Sequence, residues 1–293
     1  MRIVRTMRGL TVIGAPTSAG AYAPGQEDGP RALREHGLLE RLAGARDAGD
    51  VDAFRWRPDP DRPRAANAAA VADRARQVAE RVAAVPAGER ALVLGGDCTV
   101  GVGTVTGLVR RGAEPGLVYF DRHADLNVPA STIDGCLDWM GVAHMLGIEG
   151  AVDELTGDRP LLDPGRLCYL GLERVTTFER EQIARHGIAE VDLDTTAGDP
   201  VVAARTALTA LDDQTELAVH FDVDVLDFLD APLAENTDRG GLPLAAAGRA
   251  LATLMADPRV TALTVTEFNP HHGAADGATT RRLIDVLAAA LGQ

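Results

Sequence analysis

The chain has 293 residues, with 43 acidic side chains against 29 basic ones and a formal net charge of −14. All 29 basic residues are arginine, so no side-chain amine exists to hold pyridoxal phosphate, form an aldolase-type Schiff base or act as a phosphate-loop lysine. The acidic excess argues against nucleic acid or an anionic membrane as partner, because both reward positive charge.

Apolar residues make up 46% but aromatics only 4%. The expected core is therefore small and aliphatic, suited to helices packed closely on a sheet. The missing lysine reads as the Arg and Ala bias of GC-rich coding. Three cysteines, Cys98, Cys136 and Cys168, make no disulfide framework and point to a reducing cytoplasm. The opening MRIVRTMRGLTVIGAPTSAG carries charge, but its apolar run is too short and Gly-broken for a signal sequence. No stretch approaches the ~20 uninterrupted apolar residues of a membrane span.

Short Val, Leu and Ile runs alternate with longer Ala, Leu and Arg segments of helical period. In chain order the pattern predicts strand Leu10–Ile13, helix Pro30–Leu42, strand Val51–Phe54 and helix Ala65–Val85. Strand Ala91–Leu94, helix Val100–Arg110, strand Leu117–Phe120 and helix Leu137–Leu146 follow. Next come strand Leu167–Leu170, helix Thr177–His186, strand Ala189–Val191 and helix Val201–Leu211. Strand Leu217–Phe221, helix Leu244–Met255, strand Val260–Thr266 and helix Ala278–Leu291 complete the series. Near-continuous apolar strands indicate a parallel sheet buried on both faces, and the alternation predicts an α/β architecture. The acidic, Pro-rich Arg57–Arg64 reads as a surface loop. Nothing marks a linker or repeat, so one domain is expected over residues 1–293.

Four of these strands end in polar clusters. LVLGG runs into Asp97-Cys98, and LVYF into Asp121-Arg122-His123-Ala124-Asp125-Leu126-Asn127. LAVHF runs into Asp222-Val223-Asp224, with Asp227 close behind, and LTVT into Glu267-Phe268-Asn269. Ligands of open α/β sheets bind outside the carboxyl ends of the strands. The four clusters should therefore meet in one crevice.

Asp121, His123 and Asp125 fall at alternate positions, which places them on one side of an extended segment, and Asp222 with Asp224 likewise. Converging carboxylates without lysine repel unless something neutralises them. Two divalent cations would do so. Oxygen-rich ligation with one imidazole suits Mn²⁺ better than structural zinc, and paired metals can share a nucleophilic hydroxide. The competing reading of a lone D-x-D is a cap or turn, and it is kept for Asp227. His36, His144 and His186 fall in helical stretches as surface or packing residues, whereas His271 and His272 lie in a loop near the proposed site.

At these residues the sequence resembles the arginase/agmatinase (ureohydrolase) family. The likeness begins with VIGAPTSAGAYAPGQEDGPRALREHGLLERL and continues through GGDCT, FDRHADLN, HFDVDVLD and GGL to TEFNP. It implies a three-layer α/β/α sandwich around an eight-stranded, mostly parallel sheet, with two Mn²⁺ at the sheet edge. By the same resemblance, Asp121 and Asp222 bridge the metals, His123 and Asp224 complete one of them, and Asp125 serves the other and passes a proton. Glu267 fixes the substrate guanidinium and Asn127 binds substrate. The implied reaction is attack of metal-bridging hydroxide on the guanidino carbon of a small-molecule guanidino substrate. Family members are commonly trimers or hexamers, while the sequence itself marks no interface.

The family's GGDHS stands here as GGDCT, which puts Cys98 where a histidine ligand of the first metal is expected. As a ligating thiolate it would add negative charge and favour softer metals; the bland alternative is a buried packing cysteine. Asp134 and Cys136 stand where arginases hold the α-carboxylate. Asp138 stands where they place a proton-shuttling histidine, and Thr176 where an acidic residue reads the α-amino group. A branch that converts Nω-hydroxy-L-arginine to L-ornithine and hydroxyurea, in D-cycloserine-type antibiotic assembly, is similar in its His-to-Cys exchange. The expected substrate is therefore an arginine-like N-hydroxyguanidine. Arginase, agmatinase or guanidino-acid hydrolase activity is the alternative, and a metal-poor binding homologue or a redox-regulated protein are readings of other classes.

Overall fold

A computed structural model describes residues 9–156 and 160–293, so the first eight residues of the opening segment weighed above as a signal sequence lie outside the described residues. The strands are β1 (Leu10–Gly14), β2 (Arg46–Asp50), β3 (Arg90–Leu94), β4 (Gly116–Phe120), β5 (Leu167–Leu172), β6 (Ala189–Asp192), β7 (Leu217–Asp222) and β8 (Val260–Thr266). The first helices are α1 (Gly29–Glu35), α2 (Leu38–Arg41), α3 (Ala68–Ala83), α4 (Val100–Arg110), α5 (Gly141–Leu146) and α6 (Asp153–Thr156). They are followed by α7 (Thr177–His186), α8 (Leu193–Gly198), α9 (Pro200–Ala210), α10 (Leu244–Ala256) and α11 (Ala278–Ala290).

The eight strands form one sheet in the order β2-β1-β3-β8-β7-β4-β5-β6, and every pairing is parallel. Both faces are covered, as a parallel sheet requires. On one side Leu33, Leu38, Leu94, Phe120, Phe221, Leu251 and Leu287 pack together beneath α1, α2, α10 and α11. On the other, Val78, Val82, Val93, Val105, Leu108, Tyr119 and Val142 pack beneath α3, α4 and α5. The result is the expected three-layer α/β/α sandwich. Residues of this type each contribute about 1.5–3 kcal/mol when fully buried, and all six residues of β7 are buried.

Two expectations need correction. The second strand is Arg46–Asp50, not Val51–Phe54; beyond it Phe54 makes only a single bridge to Thr17. RDAGD lacks an apolar signal because β2 is an edge strand, whose exposed side accepts charge. Arg46 donates to Thr11 Oγ1 at 3.0 Å, and Asp47 pairs with Arg34 at 2.9 Å. The helix expected over Pro30–Leu42 is split into α1 and α2 at Gly37, whose φ of +96° the helix cannot continue through.

The site depends on the middle of the sheet. Strands β3, β8, β7 and β4 are consecutive neighbours. Register pairs Phe120 with Phe221, Phe221 with Val265 and Asp222 with Thr266. The polar residues that follow these strands are therefore brought to one edge.

Candidate metal centre and substrate cavity

Side chains two apart on a strand share a face. Tyr119 packs in the α4-side core, so Asp121 beyond it, and the register-matched His220 and Asp222, face the same layer. Cys98 reaches them from the turn between β3 and α4. Its Sγ lies 2.7 Å from Asp222 Oδ2, 3.3 Å from Thr266 Oγ1 and 3.4 Å from His220 Nε2. Cys98, Asp121, His220 and Asp222 thus place one donor atom each within 4.8 Å of one another.

A second set of the same compactness comprises Asp121, His123 and Asp224. His123 Nδ1 is 3.0 Å from Asp224 Oδ2 and 3.5 Å from Asp121 Oδ1. The turns carrying these residues are held by their own leading aspartates. Asp121 Oδ1 accepts the His123 N–H at 2.7 Å, and Asp222 Oδ1 accepts the Asp224 N–H at 2.7 Å. A third set is Cys98, Asp138 and Glu267, where Asp138 Oδ1 accepts the Cys98 backbone N–H at 2.6 Å.

Asp125 lies outside these three sets; its Oδ2 accepts the Tyr119 hydroxyl at 2.5 Å. Asp125 and Glu267 both take positive φ, +47° and +61°. That is a costly conformation for non-glycine residues and recurs where a site over-determines the backbone. Glu267 Oε2 accepts from Gln26 Nε2 at 3.1 Å, and its backbone N–H donates to Gly96 O at 2.8 Å.

Burial lifts Asp121 to about 6, with Asp224 adding to it. Burial first, then neighbouring carboxylates, also pushes Asp125, Asp138, Asp222 and Glu267 well above their ordinary range. At Asp224 burial is outweighed by the facing His123, so its carboxyl is held low, and His123 is held high against its own burial by Asp224 and Asp121. Burial brings His220 down to about 3, leaving a neutral ring. A cluster that raises most of its own acids is short of positive charge.

Its hydrogen bonding is short as well. Asp121 Oδ2, Asp224 Oδ1 and Glu267 Oε1 are buried without a hydrogen-bond partner among the described residues, and each such group costs about 1–3 kcal/mol or more if left so. A pair of divalent cations fits this donor set on both counts, taking carboxylate, imidazole and thiolate donors in two adjoining groups.

Beside the metal-facing residues opens a cavity of about 480 Å³, lined among others by His123, Asp125, Asn127, Asp134, Arg174 and Thr176. Asn127 is oriented by its neighbours: its Oδ1 accepts from Ser131 Oγ at 2.9 Å and Thr176 Oγ1 at 3.3 Å, which leaves its amide N–H groups for a ligand. Thr176 also caps α7, with Glu179 returning the bond.

The residues singled out from sequence fare unequally. Asp121, His123, Asp222, Asp224 and Cys98 converge, and Asn127 and Asp134 reach the cavity. Cys136 does not; its buried thiol donates to Gly20 O at 3.1 Å. Asp138 lies beneath Cys98 and is not among the residues lining this cavity. Asp97 is a scaffold residue, its carboxylate accepting from Gly20 N and Thr99 N at 3.0 and 3.1 Å. Asp227 caps its own turn through Leu229 N at 2.9 Å. His144 is buried packing. His271 and His272 turn elsewhere, to Asp28 Oδ2 and Ala234 O. Sequence reading passed over His220, Thr266, Tyr119 and Arg174. The first two had a signal, since each lies on a strand whose last residues were already named and alternation puts His220 on the side of Asp222.

A sequence profile of the arginase family matches residues 8–292. The chain belongs to the arginase family. An arginase of Glaciozyma antarctica is 30% identical, the match covering 96% of this chain and 86% of that one. The solved arginase of Bacillus caldovelox superposes with a TM-score of 0.85 at 25% identity, over 98% of this chain and 99% of that one. Proclavaminate amidino hydrolase of Streptomyces clavuligerus, at 22% identity and a TM-score of 0.74 over 97% and 91%, shares the fold. Membership of the arginase family makes the chain a metal-dependent hydrolase of the ureohydrolase type.

Proposed function

We propose that the chain, working as one domain, hydrolyses the amidine C–N bond of an arginine-like N-hydroxyguanidine, with Nω-hydroxy-L-arginine giving L-ornithine and hydroxyurea. Two Mn²⁺ are the cofactors of this reading, held by Cys98, Asp121, His123, Asp125, Asp222 and Asp224. Bound there, the cations offset the buried carboxylates and supply an activated water at neutral pH. The observation that carries the reading is the sulfur of Cys98, 2.7 Å from Asp222 Oδ2 in a compact donor set. A thiolate donor lowers the Lewis acidity of its metal relative to imidazole. A substrate whose guanidine is less basic and carries its own oxygen donor suits such a centre better than plain guanidinium.

The chain's residues divide the remaining work. Glu267, fixed by Gln26, presents its unpartnered Oε1 to the guanidine-type group, where a planar donor fork meets carboxylate oxygens. Asp125, steadied by Tyr119, moves a proton from the attacking water towards the leaving amine. Asp138, tethered to the Cys98 backbone, is the second acid in reach of Glu267. Asn127 and Asp134 receive the amino-acid end of the substrate in the cavity. The reaction needs no nucleic acid and no membrane. A cytoplasmic setting goes with three unpaired cysteines, all of them buried, and no described helix is long and apolar enough to cross a membrane.

A panel of Nω-hydroxy-L-arginine, L-arginine, agmatine and guanidino acids, assayed with Mn²⁺ for ornithine, putrescine and free amino acid, tests the substrate. Hydroxyurea release with a kcat/KM well above that for L-arginine supports the reading; equal or greater urea release from L-arginine overturns it. L-Arginine itself is the second reading, favoured by the relative named arginase at 30% identity.

A further inference from the structure

His220 has no role in the reading above, yet it is 1% exposed and its ring reaches the sulfur of Cys98. Tyr119 lies flat on the imidazole, with ring centres 4.2 Å apart and 9° between planes. On the Nδ1 edge a Cβ added to Gly101 would come within 2.7 Å, so α4 approaches there because it carries glycine. The ring is clamped, and its two nitrogens meet different surroundings. Nε2 is 3.4 Å from Cys98 Sγ and 3.0 Å from Thr266 Oγ1, whereas Nδ1 is buried with no hydrogen-bond partner among the described residues.

A neutral imidazole has one N–H. On Nδ1 that proton would be a buried donor without an acceptor, which folded proteins almost never tolerate. On Nε2 it finds both a sulfur and a hydroxyl. Nε2 carrying a proton is not a metal ligand. A ligating histidine also gives its other N–H to an acceptor, and among the described residues no such group bonds to Nδ1.

We propose that His220 is a positioning residue that donates its Nε2–H to the Cys98 sulfur, fixing the thiolate at the metal and drawing electron density from it. Thr266 Oγ1, 3.3 Å from the same sulfur, can add its own hydroxyl proton. As a thiol, Cys98 donates to Asp222 Oδ2 at 2.7 Å. A ligating thiolate would have lost that proton, and His220 and Thr266 would then be the donors that remain to the sulfur. Hydrogen bonds to a ligating sulfur tune its metal. Here they return part of the Lewis acidity that exchanging imidazole for thiolate removes. The inference rests on Cys98 being a ligand, as proposed above.

The test is the electronic spectrum of the Co²⁺-loaded protein, together with cobalt stoichiometry and circular dichroism as a check of folding. The wild type should show a thiolate-to-cobalt charge-transfer band, and Cys98→Ser should lose it. His220→Phe keeps a ring against Tyr119 and removes the donor. It should bind the same amount of cobalt with the band moved to longer wavelength, because an unbonded thiolate is easier to oxidise. His220→Gln, whose amide can donate, should recover part of the shift. An unmoved band in His220→Phe overturns the inference, and so does loss of one cobalt per chain, which would make His220 a ligand. A wild type without the band would instead overturn ligation by Cys98.

Discussion

At the His123 end of the site the donors are one imidazole and two carboxylates, the imidazole lining the open cavity. At the Cys98 end a buried thiol stands among Asp222, Thr266 and His220. Both ends rest on the same device, an aspartate at the close of a strand whose oxygen captures the N–H two residues on. They differ in the softest donor. The first end suits a hard, oxygen-loving cation, whereas a thiolate at the second makes that end softer than an imidazole would. One fold can thus vary the chemistry of half a site while keeping its frame.

The largest change should follow loss of what both ends share. Asp121→Ala removes the donor common to both sets and frees the His123 turn; metal content should fall from two per chain to one or none, and turnover by roughly 10³-fold or more (~4 kcal/mol). His123→Ala strikes one end only. Elemental analysis should still find one metal, with turnover down by more than the ~10–100-fold that outer-shell partners usually cost.

Chelation exposes the electrostatic debt of the whole cluster. Burial raises Asp97 and Asp121 from 3.8 to about 6, so between those values the folded chain holds more protons than the unfolded one. Stability of metal-free protein should therefore fall as pH rises from about 4 to about 6. The raised His123 extends that loss upward, because its stabilising charge disappears as pH passes its folded value. The lowered Asp224 works the other way only towards pH below 3.8. Buried His220 and His144, brought down to about 3 and about 4, oppose the fall up to their unfolded value of 6.5. The raised Asp125, Asp138, Asp222 and Glu267 add to it and outnumber them. Thermal unfolding should show the metal-free Tm dropping across this range, and Mn²⁺ at ~100 times its Kd restoring about 2.7 kcal/mol at neutral pH. A metal-free Tm that rises from pH 4 to 6 would contradict the burial argument.

Smaller effects separate the two ends further. Cys98→His makes the ends alike, and should shift the kcat/KM ratio towards L-arginine by about tenfold, ~1.4 kcal/mol. No change in that ratio would reduce Cys98 to packing. Asn127→Ala acts on binding in the cavity and should raise KM by roughly tenfold with kcat little altered.

Most of the frame was legible in the sequence because a doubly covered parallel sheet writes itself as apolar runs. The exception, β2, is an edge strand whose polar RDAGD obeys no such pattern. The carboxylates at the strand ends were legible for the same reason, each standing where an apolar run stops. His220 was passed over although alternation puts it on the side of Asp222, because a histidine inside a strand reads as core until the register sets it against Cys98. Cys136 erred the other way: its place in the loop suggested substrate, but the thiol turns inward to Gly20. Side-chain direction within a loop depends on packing that spacing alone does not encode.

The central claim is that Cys98 supplies a thiolate to one of two adjoining metals. X-ray absorption on protein loaded with zinc tests it most directly, read with zinc stoichiometry. The account expects two zinc ions per chain and a sulfur scatterer at ~2.3 Å, the zinc–thiolate length, that Cys98→Ser abolishes. Two zinc ions with nitrogen and oxygen neighbours alone would contradict it.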